Sequence, residues 1–138
     1  MSRSASKLGS EFARSDFAVA AFDTRQPVLY KGQAFQVVET DVFHRWLGSL
    51  ADRRARARVV ERLKRASNGS FGDVKPVGSG VSEMRIDYGP GYRVYFFRHG
   101  KVLVVVLCGG DKKRQKADIA QAVRLKEEIE RRDKDEAV

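Results

Sequence analysis

The chain has 138 residues, of which 42% are hydrophobic and 33% charged, and its formal net charge at pH 7 is +9. This length favours one domain with a modest core, and no apolar run approaches the roughly 20 residues that span a bilayer, so we expect a cytoplasmic protein without a membrane segment. The single cysteine, Cys108, excludes an internal disulfide and a multi-cysteine metal site.

The positive charge is concentrated in the middle of the chain. Residues 35–116 contain 17 lysines and arginines against eight aspartates and glutamates, whereas residues 117–138 contain five basic and seven acidic residues. This distribution favours a polyanionic partner, either a nucleic acid or an acidic protein surface. The alternative is that the charge serves only solubility.

Residues 1–34 differ from the rest of the chain. They are rich in serine and alanine at first, and their hydrophobic residues occur singly without a helix or strand period. The stretch Lys7–Phe12, "KLGSEF", resembles the translation of adjacent cloning sites, and translation from an upstream start codon is the alternative. We therefore expect a dispensable, flexible N-terminal extension at residues 1–34 and a folded domain at residues 35–138.

The folded pattern begins with a short strand and two amphipathic helices. The strand is Phe35–Thr40, and Thr40 or Asp41 can cap the helix that follows, whose apolar stripe is Phe43, Trp46, Leu47 and Leu50. A second helix is predicted from about Asp52 to Ser67, with one buried face formed by Ala55, Val59, Leu63 and Ala66. Its opposite face carries seven arginines and lysines, a pattern most typical of a solvated helix face.

Four further strands and a final helix complete the pattern. The strands are a short segment around Val74–Val77, then Val81–Tyr88, Tyr92–Phe97 and Val102–Cys108, the last with the composition of a strand buried on both faces. The element order β-α-α-β-β-β-β-α predicts an α+β domain, with a central antiparallel sheet, two N-terminal helices and a C-terminal helix.

The hairpin between Val81 and Phe97 carries two charged residues in an otherwise apolar pattern. With a three-residue Gly89–Gly91 loop, Arg85 faces Tyr95 and Asp87 faces Arg93, all on the sheet face opposite the apolar one. An Asp87–Arg93 surface ion pair is the plainest explanation and is worth at most about 1 kcal/mol. It leaves an excess of basic residues near one end of the sheet, a composition that suits RNA phosphates and unpaired bases: Arg85, Lys75, Lys112, Lys113 and Arg114.

Three stretches of the chain resemble one known family. These are "WLGSLADRRARARV", "GDVKPVGSGVSEMRIDYGPGYRVYFF" and "LCGGDKKRQKADI". Together they resemble the RelE/ParE toxin superfamily, and within it the HigB-like "addiction module killer" branch of type II toxin–antitoxin systems. The resemblance extends from about Phe35 to Arg132, and members of this family typically begin near Phe35.

The resemblance implies a RelE-like fold and an endoribonuclease that cleaves mRNA, free or on the ribosome, to arrest translation. It also implies a cognate antitoxin, often a helix-turn-helix DNA-binding protein, through which the toxin meets DNA only indirectly. Because the ParE branch blocks DNA gyrase without catalysis on the same fold, a gyrase inhibitor is the alternative. An inert nucleic-acid-binding module is a third possibility. Neither a metal nor an organic cofactor is expected.

The resemblance also implies candidate site residues. Arg93 in "GYRVY" matches the sheet arginine of the RelE "GYR" motif, Lys112 or Lys113 corresponds to the basic residue after the last strand, and Arg85 occupies a position that often holds lysine. The catalytic tyrosine near the C-terminus of some members has no counterpart in "KADIAQ". Candidate groups for proton transfer are therefore Lys112, Asp111 and Tyr95. Four further residues are candidates for RNA binding: Lys75, Tyr95, Lys113 and Arg114.

Overall fold

A six-stranded sheet forms the centre of the structure, a computed structural model that describes residues 28–137. In chain order the elements are β1 (Val28–Lys31), β2 (Gln36–Glu39), α1 (Asp41–Ser49), α2 (Arg53–Ser67), β3 (Val74–Gly78), β4 (Val81–Ile86), β5 (Tyr92–His99), β6 (Leu103–Asp111), a 3-10 turn (Lys112–Arg114) and α3 (Gln115–Ala137). The predicted α+β class and the order of helices and strands from residue 35 onward are confirmed.

The spatial order of the strands is β1-β2-β6-β5-β4-β3. All neighbouring strands are antiparallel except β2 and β6, which pair in parallel. The segment from α1 to β5 supplies the long connection that a parallel pair needs. Strand β6 therefore lies inside the sheet, and each of its residues from Leu103 to Cys108 is buried. The prediction that this strand is central and buried on both faces is confirmed.

The sheet begins earlier in the chain than the sequence indicates. Strand β1 pairs with β2, and the turn that joins them is fixed by hydrogen bonds from the backbone N–H groups of Ala34 and Phe35 to the Ser67 carbonyl, at 3.1 and 2.9 Å. The boundary expected at Phe35 therefore falls between the two strands of a hairpin. Strand β1 also covers the edge of β2, which would otherwise be exposed. The rest of the expected extension, residues 1–27, lies outside the described residues.

Helices α1 and α2 cover one face of the sheet. Thr40 caps α1 by accepting a hydrogen bond from the Phe43 N–H, and Asp52 caps α2 by accepting from the N–H groups of Arg54 and Ala55. The predicted inner stripe of α2, from Ala55 to Ala66, is fully buried. It packs with the apolar side chains of β4, β5 and β6, which form the first of two cores.

Helix α3 covers the other face. Its Ala122 and Ile129 pack against a second core that includes Tyr95, Phe97 and Leu107. The face predicted to carry the arginines is therefore not open along its whole length, because α3 crosses it. No helix within residues 28–137 is both long enough and apolar enough to cross a membrane.

Candidate functional site

Arg85 of β4 and Arg93 of β5 lie directly opposite each other on the sheet face that α3 covers. The predicted register is wrong by two residues: Arg85 does not face Tyr95, and Asp87 does not face Arg93. The loop between the strands has five residues rather than three, because Gly89 and Gly91 adopt positive φ angles of 57° and 87° in a turn closed from Gly91 N–H to the Tyr88 carbonyl. A register shift of two residues leaves each side chain on the same face of the sheet. Arg85 and Arg93 therefore still lie on one face.

Two like charges at directly opposite positions of neighbouring strands repel each other. A separate carboxylate next to each arginine offsets this repulsion. Arg85 donates to Asp73 at 3.0 Å, and 40% of its side chain is exposed. Arg93 donates to Glu83 at 3.3 Å, and only 12% of its side chain is exposed. The expected Asp87–Arg93 ion pair is not formed, because Asp87 lies in the exposed loop after β4.

Glu83 is the residue of this face that the sequence analysis did not identify. Its side chain is completely buried, and it accepts hydrogen bonds from Arg93 Nη1 at 3.3 Å, from the Tyr95 hydroxyl at 3.2 Å and from Gln115 Nε2 at 2.7 Å. Burying an unpaired carboxylate costs several kcal/mol, and these three hydrogen bonds offset that cost. The alternation of β4 places Glu83 on the arginine face, which is the one sequence signal that pointed to it.

Tyr95 lies in the core rather than on the surface. Its side chain is 0% exposed, and burial, followed by the nearby Glu83 carboxylate, raises its pKa far above the ordinary value. The expectation of an exposed Tyr95 is therefore wrong, because α3 covers this part of the face. A buried phenol presents no ring for stacking on a base, and Tyr95 instead supports Glu83.

The basic residues after β6 lie at the same end of the sheet. Arg93 pairs with Gly110 and Tyr92 with Asp111, so Lys112 leaves the sheet next to the hairpin loop. The Lys112 N–H donates to the Gly91 carbonyl at 2.9 Å, which holds the turn against that loop. The side chains of Lys112–Arg114 are exposed.

The two carboxylates around this turn have different environments. Asp111 is partly exposed, and one of its oxygens accepts from the Lys113 N–H at 3.0 Å. Asp118 is buried, and its Oδ2 atom has no partner among the described residues. Burial is the main cause that raises the pKa of Asp118. The negative charge of Asp111 raises this pKa further, whereas the positive charge of Arg114 lowers it. The absence of a side chain at Gly110 leaves room for the Asp118 carboxylate, which would have to move if this residue had a Cβ atom.

Arg62 of α2 belongs to the row of basic residues that was predicted to form a solvated helix face. It is not part of a solvated face, because it donates to the carbonyls of Arg85, Phe71 and Asp73 at 2.5, 3.1 and 3.3 Å. Its guanidinium thereby fixes the two backbone segments that carry Arg85 and its partner Asp73. Burial lowers the Arg62 pKa.

Lys75 lies on the edge strand β3, opposite Glu83, and is exposed. The structure thus brings Arg85, Arg93 and Lys75 onto neighbouring positions of one face.

Cys108 is a buried side chain, as predicted, and burial raises its pKa to about 12, which makes it a poor nucleophile. Within residues 28–137, no three His, Cys, Asp or Glu side chains lie close enough together to hold a metal ion.

Comparisons with known proteins place the chain in a family. Residues 45–130, which include every candidate site residue, match the family described as "Phage derived protein Gp49-like (DUF891)". An uncharacterized protein of Haemophilus influenzae is 48% identical over 94 residues, which cover 68% of this chain and 95% of the relative. No solved structure matches the chain. The chain therefore belongs to the Gp49-like family of phage-derived proteins, which is associated with the toxins of toxin–antitoxin systems.

Proposed function

We propose that this protein is the toxin of a type II toxin–antitoxin system and an endoribonuclease that cleaves mRNA on the ribosome to arrest translation. The observation that carries the proposal is the row formed by Arg85 and Arg93, directly opposite each other on β4 and β5. The exposed turn Lys112–Arg114 is held against the loop of the same hairpin. The proposal combines these positive charges with the toxin association of the family.

RNA cleavage through the 2′-hydroxyl generates a pentavalent phosphorane whose extra negative charge must be stabilised. A guanidinium suits this role, because it stays protonated and presents its N–H groups as a planar fork that matches two phosphate oxygens. Arg85 is the more accessible of the two arginines, and the Nε atoms of both are buried without a partner among the described residues. We assign phosphate binding to Arg85 and Arg93, with Lys75, Lys113 and Arg114 along the RNA backbone.

Proton transfer requires a group that can gain and lose a proton within reach of the substrate. Arginine is a poor candidate because it does not deprotonate in proteins. Tyr95 is a poor candidate because it is buried and its pKa is raised. We therefore assign this step to Lys112 or Asp111, both of which reach the surface beside the arginine row. Ribosomal RNA orients the substrate and supplements this small set of groups.

The partner that controls this activity is a cognate antitoxin, a helix-turn-helix DNA-binding protein in the proposed scheme. An acidic antitoxin segment complements the exposed cations Lys75, Lys112, Lys113 and Arg114 and blocks access of RNA to them. The toxin contacts DNA only through this complex.

The test is induction of the chain in bacteria, followed by measurement of growth and by mapping of new mRNA 5′ ends. We expect rapid arrest of protein synthesis together with new 5′ ends inside coding sequences. The Arg93→Lys, Lys112→Ala double variant should abolish both effects. Lysine at position 93 retains a positive charge for Glu83 while removing the planar fork, so this variant is expected to fold.

Three outcomes contradict the proposal. Full toxicity of the folded double variant shows that these residues do not carry the activity. Intact mRNA with DNA damage and cell filamentation identifies a gyrase inhibitor. Normal growth with high expression of the wild type identifies an inert binding module.

A further inference from the structure

Among residues 28–137, Glu83 is the one completely buried carboxylate on the arginine face. Glu83 lies two residues before Arg85 on β4 and directly opposite Tyr95 on β5. Its Oε1 accepts from Arg93 Nη1, and its Oε2 accepts from Tyr95 and Gln115. Oε2 is therefore held by two neutral groups, the Tyr95 hydroxyl and the Gln115 amide of α3, whereas Oε1 bonds to the Arg93 guanidinium.

Stability alone does not explain this arrangement. A buried ion pair is often no more stabilising than apolar side chains of the same volume, because both charges lose their hydration. What such a pair does provide is a fixed direction for the guanidinium, and Arg93 needs this, since no other described residue accepts a hydrogen bond from it. Preorganised donors stabilise developing charge better than mobile ones.

We propose, on the basis of the ribonuclease function proposed above, that Glu83 is the positioning residue for Arg93. Glu83 holds the guanidinium of Arg93 at the sheet surface through Oε1, while Tyr95 and Gln115 hold Glu83 itself. Glu83 does not touch the RNA and acts on the phosphate only through Arg93.

We expect the substitution Glu83→Gln to affect RNA binding and RNA cleavage differently. Glu83→Gln keeps the size of the side chain and one oxygen acceptor but removes the negative charge that orients Arg93. Because the variant is more positive by one charge, its affinity for RNA should be unchanged or higher. Its cleavage rate should fall by about 10- to 100-fold, since a small misplacement of a catalytic group has an effect of this size. A merely destabilised protein would not show tighter binding and slower cleavage together.

The experiment is a double-mutant cycle on the single-turnover cleavage rate of ribosome-bound mRNA at saturating toxin. The four proteins are the wild type, Glu83→Gln, Arg93→Lys and the double variant, with thermal melting to confirm that each is folded. If Glu83 acts only through Arg93, the double variant is no slower than Arg93→Lys alone. Glu61→Gln, an identical chemical change in an exposed ion pair on α2, is the matched control and should cleave at the wild-type rate. Independent, multiplicative losses, or a wild-type rate for Glu83→Gln, overturn the inference.

A second measurement decides the inference without relying on activity. The side-chain N–H signals of Arg93, assigned by their loss in Arg93→Lys, should be separately resolved in the NMR spectrum of the wild type and averaged by rotation in Glu83→Gln. Equally resolved signals in both proteins overturn the positioning role. A wild type that does not cleave RNA refutes the proposed function, and the NMR comparison then still decides whether Glu83 orders Arg93. If Glu83→Gln does not fold, Glu83→Asp replaces it, because it keeps the charge but moves the carboxylate back by one methylene.

Discussion

Near its loop, the β4–β5 hairpin has one apolar face and one face with several charged residues. Towards α1 and α2 the hairpin presents Met84, Ile86, Val94 and Phe96, all buried in an apolar core. Towards α3 the positions nearest the loop are Glu83, Arg85, Arg93 and Tyr95, of which Arg93 and Tyr95 donate to Glu83 while Arg85 pairs with Asp73. Farther from the loop, Val81 and Phe97 join the second apolar core. Since replacing a buried ion pair by apolar side chains is often neutral or stabilising, the charged residues at the loop end of the α3 face are consistent with the proposed function of this face.

The largest stability effect is expected from breaking the buried pair on the α3 side. Glu83→Leu leaves Arg93 without a hydrogen-bond acceptor among residues 28–137 and should lower the free energy of unfolding by about 3–5 kcal/mol. The double variant Glu83→Leu, Arg93→Met removes both charges and should recover most of this loss while remaining inactive. Urea denaturation measures both values. A double variant as unstable as Glu83→Leu would show that the pair is needed for the fold itself.

On the other face, Met84→Ala should lower the free energy of unfolding by about 2–5 kcal/mol, because Met84 is only 1% exposed and its truncation leaves a cavity. Below its melting temperature this variant should cleave RNA like the wild type. Parallel denaturation and cleavage measurements check both statements. A loss of cleavage in fully folded Met84→Ala would remove the distinction between the two faces.

Arg85→Ala is expected to show the reverse pattern. Its ion pair with Asp73 is partly exposed, so the stability loss should stay below about 1 kcal/mol. Its RNA affinity should fall several-fold and become less dependent on salt, because one phosphate contact is lost. Titration of a short RNA at two salt concentrations is the measurement, and an unchanged affinity would contradict the assignment of Arg85 to phosphate binding.

The smallest effect is expected from the pH dependence of stability at Asp118. Because burial raises the pKa of this carboxyl in the folded protein, the unfolded chain ionises first as the pH rises, and the wild type loses stability until the pH exceeds the folded pKa. Asp118→Asn should therefore match the wild type at acid pH and become the more stable protein as the pH rises, up to a plateau. Denaturation midpoints across the acid range test this. A stability difference independent of pH would contradict it.

Local sequence patterns were sufficient to predict the helices, the strands from residue 35 onward and the sheet face shared by Arg85 and Arg93, but not strand β1. Thr40 and Asp52 are strong N-caps, and the apolar period of α2 fixed its buried residues from Ala55 to Ala66. Alternation along β4 and β5 placed Arg85 and Arg93 together, and this grouping survived a register error because the error was an even number of residues.

The remaining features depend on contacts between residues that are distant in the chain. The burial of Tyr95 and the donor set of Glu83 follow from the position of α3, which no pattern within β4 or β5 encodes. Likewise, the parallel pairing of β2 with β6 and the hydrogen bonds of Arg62 arise only after the elements have packed. The shared face of Arg85 and Arg93 could therefore be predicted from the sequence, whereas the contacts of Glu83 and Arg62 could not.

The most direct test of the account compares the two faces in one assay. Met84→Ala and Arg93→Lys are measured side by side for cleavage of ribosome-bound mRNA, at a temperature at which both are fully folded. We expect a wild-type rate for Met84→Ala, despite its lower stability, and a rate reduced by about 100-fold or more for Arg93→Lys, because lysine lacks the bidentate fork. Equal rates for the two variants would contradict the claim that the α3-facing side of the hairpin carries the function.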